Sequence, residues 1–232
     1  MSLVHLIREP AGEAEGALVL SHGRGADESD LQPLLDLLDP NRRLLGLTPG
    51  APLTNIAPGG RHWYVVPQVG YPEPETFHNA YGLLTKFLDR TLQERSIPWE
   101  RTVLGGFSMG AVMSYAVGLG EGRPNPAGLV ALSGFVPTVD GWQAELAGRA
   151  GVPVLIHHGR LDPIIDVSFA RRARDLLEGG GLEVAHAESQ ATHAIPGELL
   201  PELRGFVEQA IGVGGNAPRG DVPGPAPPRL GS

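Results

Sequence analysis

Short apolar runs alternate with longer amphipathic stretches along most of the chain. Six segments have the length and apolar character of buried strands: 17–20, 43–47, 101–107, 127–132, 152–157 and 182–187. Five segments are predicted to be helices: 30–38, 77–95, 109–119, 167–177 and 199–211. In the second of these, Leu84, Leu88 and Leu92 recur at the spacing of one buried helical face. The alternation predicts an α/β fold with a mostly parallel central sheet and helices on both faces.

The chain divides into one large domain and a short tail. A length of 232 residues suits a single domain built on a central sheet. Residues 212–232 are rich in Pro and Gly and contain little that could be buried. We therefore expect a folded domain over 1–211, without a separate lid domain, and a disordered C-terminal tail over 212–232.

Composition and charge exclude several classes of partner. The formal net charge of −8 opposes binding to nucleic acids or anionic membranes, which both attract clustered Lys and Arg. The chain has no Cys, which excludes disulfides, thiolate catalysis and Cys-based metal sites. His5, Arg8 and Glu9 interrupt the apolar residues near the N-terminus, which argues against the apolar core of a signal peptide. No run of apolar residues is long enough to span a membrane. A cytoplasmic protein that does not insert into membranes is the simplest interpretation.

The segment Gly-Phe-Ser-Met-Gly at 106–110 follows a predicted strand and precedes a predicted helix. This is the context in which G-x-S-x-G forms the nucleophile elbow of α/β hydrolases. Flanking glycines permit the sharp turn, and the serine hydroxyl is then exposed at the end of the strand. Ser108 is thus the candidate nucleophile. The alternative is a Gly-rich turn that contains an incidental serine.

A serine hydroxyl needs a general base and an acid that orients the base. In this fold the order along the chain is Ser, then Asp, then His. Asp162 follows the strand 152–157, where a carboxylate can lie at the C-terminal edge of the sheet, and it is the preferred acid. Asp166 is the rival, although its position before the helix 167–177 favours an N-cap.

Two histidines follow the acid, and His193 is the preferred base. His193 lies in a loop beyond the last predicted strand, from which it can fold back over Ser108. His186 falls within that strand and is interpreted as a packed or surface residue. His157 and His158 are adjacent in a strand, so their side chains point to opposite faces and cannot share one metal ion. We therefore expect packing roles for this pair and no metal site.

An oxyanion hole requires backbone N–H donors beside the nucleophile. The residue after the nucleophile supplies one donor, which assigns this role to the N–H of Met109. The glycines of His-Gly-Arg-Gly at 22–25 let the backbone approach a ligand, which favours the N–H of Arg24 as the second donor. His22 is expected to support this loop. The segment could instead be only a tight turn between a strand and a helix.

With these residues in place, residues 17–211 resemble the phospholipase/carboxylesterase family of α/β hydrolases, which includes the acyl-protein thioesterases. Four segments carry the resemblance: 22–27, 106–110, 157–165 and 192–196. It implies catalysis by Ser108, Asp162 and His193 on small acyl esters or thioesters, without a cofactor. Members of the family often form homodimers, so a homodimer is also expected.

The departures from the family pattern concern residues near the expected site. Met109 stands where the family commonly has Gln, and Arg24 stands where many members have a small or apolar residue. The family's Trp-Phe-Asp becomes Trp63-Tyr64-Val65. Trp63, Tyr64 and Val65 belong to a long loop, 48–76, of a kind that usually borders a functional site. We expect Trp63, Tyr64 and Tyr71 to form a pocket wall suited to an apolar acyl group.

The sequence therefore predicts a serine carboxylesterase that hydrolyses small or medium acyl esters through an acyl-enzyme. The same triad could serve an acyl thioesterase or lysophospholipase, or a peptidase or acyltransferase. A non-catalytic binding protein on the same scaffold is the alternative from a different class. The expected partner is a small-molecule acyl ester or thioester.

Overall fold

A seven-stranded sheet forms the centre of the molecule in the computed structural model, which describes residues 3–214. The order of the strands across the sheet is β1-β3-β2-β4-β5-β6-β7. Their bounds are: β1 His5–Arg8, β2 Gly16–Ser21, β3 Leu44–Pro49, β4 Thr102–Phe107, β5 Gly128–Leu132, β6 Pro153–Gly159 and β7 Glu183–Ser189. The six predicted strands are all present, with ends that differ from the prediction by no more than two residues.

Strand β1 was not predicted, and it is the strand that runs antiparallel to its neighbour. It pairs with β3, with His5 opposite Pro49 and Arg8 opposite Gly46. The strand has four residues, two of them His5 and Arg8, so it lacks the apolar run that marked the others. The pairs among β2 to β7 are parallel, which confirms the mostly parallel sheet.

Within residues 3–214, five α-helices cover both faces of the sheet, as predicted. Their bounds are: α1 Gln32–Leu38, α2 Pro74–Glu94, α3 Met109–Leu119, α4 Ser168–Gly179 and α5 Leu200–Gly214. Helices α2, α3 and α4 pack into one apolar core, and α1 and α5 pack into a second core on the other face. Helix α2 begins before the predicted residue 77 because Glu73 caps it, accepting the N–H groups of Glu75 and Thr76 at 3.0 and 2.8 Å.

The predicted tail falls largely outside the described residues. Residues 212–214 continue helix α5, so the helix ends beyond the predicted boundary at 211, and the rest of the tail lies outside the described part. Within residues 3–214, every helix is too short or too polar to cross a bilayer. The cytoplasmic location and the homodimer stay predictions.

A buried ion pair ties β1 to the end of α1. The Nη2 of Arg8 donates to Oδ2 of Asp39 at 2.5 Å, and the two residues are 6% and 4% exposed. Nη1 of Arg8 donates to the carbonyl oxygen of Leu35 at 3.0 Å, and Asp39 also accepts the N–H of Leu44 at 2.9 Å. The pair therefore fixes the start of β3 as well as the edge strand.

We expect Asp39→Ala to lower the free energy of unfolding by about 3–5 kcal/mol, because it leaves the buried Arg8 guanidinium without its buried counterion. Urea denaturation followed by circular dichroism measures the change. Asp36→Ala is the matched control, since Asp36 is exposed and contacts Arg8 at 3.3 Å. It is expected to change stability little. Equal stability of the two variants would contradict the argument.

Candidate active site

Ser108 lies at the turn between β4 and α3 in a strained backbone conformation. Its φ is 54° and its ψ is −118°, and its N–H donates to the carbonyl oxygen of Leu132 at 2.8 Å. The turn needs glycine on both sides. A Cβ at Gly106 would lie 2.4 Å from the carbonyl carbon of Gly110, and a Cβ at Gly110 would lie 1.9 Å from the carbonyl oxygen of Ser21. The close approach of α3 to β2 thus depends on these glycines.

The side chains of Ser108, His193 and Asp162 form one continuous hydrogen-bonded chain. The distance from His193 Nε2 to Ser108 Oγ is 2.8 Å, and His193 Nδ1 lies 2.6 Å from Asp162 Oδ2. The loops that carry the two partners of Ser108 pack tightly, because the N–H of Leu161 donates to the carbonyl oxygen of Ala191 at 3.1 Å. The carboxylate therefore orients an imidazole that can accept the serine proton.

The carboxylate of Asp162 is fully enclosed, with a side-chain exposure of 0%. Its Oδ1 accepts the N–H groups of Ile164 and Ile165 at 2.8 and 2.9 Å, which leaves Oδ2 for His193. Burial acts to raise the pKa of Asp162, but the hydrogen bonds from His193 and the two N–H groups outweigh burial and lower it. Asp166 is exposed and accepts the N–H of Ser168 at the start of α4, so it is not part of the hydrogen-bonded series of Ser108, His193 and Asp162.

The loop with Arg24 lies directly beside the nucleophile. A Cβ at Gly23 would lie 3.4 Å from Cβ of Ser108. The N–H of Gly25 donates to the carbonyl oxygen of Arg61 at 2.9 Å, and the N–H of Arg61 donates to Ala26 at 2.8 Å. Neither of these bonds uses the N–H of Arg24.

The other candidate donor is the N–H of Met109, which is the first residue of α3. The first N–H groups of an α-helix have no acceptor within the helix, and they favour negative charge. Met109 and Arg24 both line the cavity that contains Ser108. This arrangement allows their N–H groups to bind an oxyanion formed at Ser108.

His22 and Trp63 support the Arg24 loop from behind. Nε2 of His22 accepts the N–H of Ala51 at 3.0 Å, so the ring proton is on Nδ1, which donates to the carbonyl oxygen of Gly23 at 2.7 Å. Burial lowers the pKa of His22 and favours this neutral form. The indole N–H of Trp63 donates to the carbonyl oxygen of His22 at 2.9 Å. Trp63 is fully buried in this role and is not part of the cavity wall.

An apolar cavity of about 440 Å³ opens beside Ser108 and His193. Of the three predicted wall residues, Tyr64 lines it, whereas Tyr71 is 52% exposed and lines a separate groove of about 700 Å³ beside Phe169. The remaining apolar lining comes from residues that were not predicted to form the pocket wall: Ala26, Val66, Val69, Phe107, Phe135, Ile164 and Ile165. Val66 and Val69 belong to the predicted site-bordering loop, but Phe135 follows β5 and no local pattern marked it.

The remaining histidines near β6 and β7 do not form a metal site. No group of three or more His, Asp or Glu side chains within residues 3–214 could hold a metal ion. His157 is buried, its Nε2 lies 3.1 Å from Oγ of Ser189, and burial lowers its pKa. Burial also lowers the pKa of His186. His158 differs from both, since its Nε2 lies 2.8 Å from the carbonyl oxygen of Ile165 and 3.3 Å from Asp162 Oδ2.

Known structures share the fold of this chain. The structure is similar to the Bacillus cereus carboxylesterase, with a TM-score of 0.78 and 22% identity over 90% of this chain and 94% of that one. It is also similar to esterase PE8, with a TM-score of 0.76 and 22% identity over 90% of this chain and 100% of that one. These likenesses show the fold.

The sequence comparisons cover most of the chain. Acyl-protein thioesterase 1 of Debaryomyces hansenii is 26% identical over 87% of this chain and 94% of its own length. Acyl-protein thioesterase 1 of Candida albicans is 27% identical over 89% of this chain and 99% of its own length. The family model described as Phospholipase/Carboxylesterase matches residues 4–211. The chain therefore belongs to the phospholipase/carboxylesterase family of α/β hydrolases and is an ester-hydrolysing enzyme.

Proposed function

We propose that this enzyme is a serine carboxylesterase that hydrolyses small or medium acyl esters through an acyl-enzyme. The observation that carries the proposal is the hydrogen-bonded chain from Asp162 through His193 to Ser108, with distances of 2.6 and 2.8 Å. This chain ends at an apolar cavity, which suits the acyl part of the substrate.

The geometry supports the following sequence of steps. Ser108 Oγ attacks the acyl carbon while its proton passes to His193 Nε2, and Asp162 stabilises the imidazolium. The N–H groups of Arg24 and Met109 donate to the oxyanion of the tetrahedral intermediate. His193 then gives its proton to the leaving oxygen, which leaves the acyl group on Ser108. Water, deprotonated by His193, attacks the acyl-enzyme, and His193 then returns this proton to Ser108 Oγ as the acid is released.

A thioesterase is the second candidate function. Two relatives that support it, from Debaryomyces hansenii and Candida albicans, are named acyl-protein thioesterase 1 and are 26% and 27% identical to this chain. The chemistry at Ser108 is the same for both bonds, since only the leaving atom changes from oxygen to sulfur. The preference therefore depends on how the cavity mouth accommodates the leaving group, where Arg24 and Asp30 are exposed.

A panel of p-nitrophenyl esters from acetyl to dodecanoyl tests the proposal, with the matching thioesters run beside it. We expect kcat/KM to rise with acyl length by up to about fourfold per CH₂ until the cavity is full, because each buried CH₂ contributes about 0.8 kcal/mol. A fluorophosphonate probe should label the protein at Ser108. Thioesters hydrolysed far faster than the matching esters would favour the second candidate. A protein that neither turns over the panel nor reacts with the probe would be a binding protein instead.

A further inference from the structure

A second histidine, His158, contacts the acid of the triad. His158 lies on β6, four residues before Asp162, and both side chains are 0% exposed. Its Nε2 lies 2.8 Å from the carbonyl oxygen of Ile165 and 3.3 Å from Asp162 Oδ2, the oxygen that also meets His193. Since the carbonyl oxygen can only accept, Nε2 carries the proton and is the donor.

This N–H closes the loop that holds the carboxylate. Both backbone polar groups of Ile165 are hydrogen-bonded in this loop. Its N–H donates to Asp162 Oδ1, and its carbonyl oxygen accepts the Nε2–H of His158. The loop therefore cannot rotate the carboxylate away from His193 without breaking a buried hydrogen bond. Such a break is costly where water cannot replace the partner.

The packing of the core does not account for a histidine at this position. Nδ1 of His158 is buried and has no hydrogen-bond partner within residues 3–214, a cost of about 1–3 kcal/mol that an apolar side chain would avoid. The benefit must therefore come from the other ring nitrogen, whose N–H is directed at the acid loop. Nothing in the sequence marked this role, since the pair His157-His158 suggested only packing or a metal ion.

We propose that His158 is a positioning residue of the triad: by donating its Nε2–H to the carbonyl oxygen of Ile165, it holds the loop 162–165, and with it the Asp162 carboxylate, in register with His193. The inference rests on the proposed function of this site. It requires a buried N–H donor at position 158 rather than an aromatic ring or a charge. The acid is thus oriented by His158 as well as by the N–H groups of Ile164 and Ile165.

Three substitutions at this position separate positioning from packing. His158→Met removes the N–H donor and puts an apolar side chain of similar size in its place. We expect kcat to fall about 10–100-fold because the triad is misaligned. KM should stay within about twofold, since His158 does not line the substrate cavity. His158→Gln places an amide N–H near the position of Nε2 and should recover most of the lost kcat. His158→Asn is too short to reach the carbonyl oxygen of Ile165, so it should lose as much kcat as His158→Met is expected to lose. It serves as the variant without a donor to Ile165 if His158→Met does not fold.

His157→Met is the matched control, because His157 is the adjacent residue in β6, is equally buried and points away from Asp162 towards Ser189. We expect wild-type kcat from it, even if its melting temperature falls. Wild-type kcat in His158→Met, or equal losses in His158→Gln and His158→Met, would overturn the proposal and leave the carboxylesterase function intact. A wild-type protein that is inactive on every ester and every thioester would overturn both.

Discussion

Ser108→Ala is expected to lower kcat for p-nitrophenyl acetate by about 10⁶-fold, the loss seen when a triad nucleophile is removed. The hydroxyl of Ser108 is the group that His193 Nε2 meets at 2.8 Å, and alanine has no atom that could attack an acyl carbon. The fold should be retained. The N–H of residue 108 still donates to the carbonyl oxygen of Leu132, and alanine tolerates a φ of 54° no worse than serine does.

Ser133→Ala is the matched control for this variant. Ser133 is another buried serine with a positive φ, 51°, and it immediately follows β5, the neighbour of β4 in the sheet. Its hydroxyl has no hydrogen-bond partner within residues 3–214. We expect the Ser133 variant to keep wild-type activity and to react with a fluorophosphonate probe, whereas the Ser108 variant should do neither. Turnover by Ser108→Ala at the wild-type rate would exclude Ser108 as the nucleophile.

Much of the fold, and the three side chains of Ser108, His193 and Asp162, could be predicted from the sequence because their signals are local. The elbow at Ser108 is a strand, a turn and a helix within a few residues, so periodicity and the two glycines describe it completely. Asp162 and His193 each follow a strand of the parallel sheet, and the C-terminal ends of such strands lie at one edge. Register within the sheet then brings distant segments together, as in the pairing of His157 with Ala187.

The cavity wall was harder to predict because its residues are placed by long-range packing. Trp63 and Tyr71 share one Pro- and Gly-rich loop, yet one is fully buried under the Arg24 loop and the other is 52% exposed. Composition cannot distinguish these outcomes. Phe135 enters the cavity from the loop after β5, and His158 reaches the acid only because residues 162–165 turn back over β6. Periodicity predicts neither contact, and the segment 157–165, which carries part of the family resemblance, indicated a catalytic role only for Asp162.

Asp162→Asn tests the electrostatic part of the triad, because its effect depends on which atom of the new amide faces His193. Oδ1 of residue 162 accepts two backbone N–H groups, from Ile164 and Ile165. An amide NH₂ group cannot accept these bonds, so the amide oxygen must stay there and the NH₂ group must take the place of Oδ2. The NH₂ group then faces Nδ1 of His193 and the N–H of His158.

We therefore expect Asp162→Asn to lower kcat by about 10⁴-fold while the protein stays folded. Nδ1 of His193 must accept a hydrogen bond from the new NH₂ group, so the ring proton moves to Nε2. Nε2 then has no lone pair with which to take the proton of Ser108. Asp166→Asn is the control, since Asp166 is exposed and an amide oxygen can still accept the N–H of Ser168. Steady-state kinetics give kcat of both variants for comparison with the wild type. An Asp162→Asn enzyme within about tenfold of the wild type would mean that the carboxylate does not set the tautomer of His193.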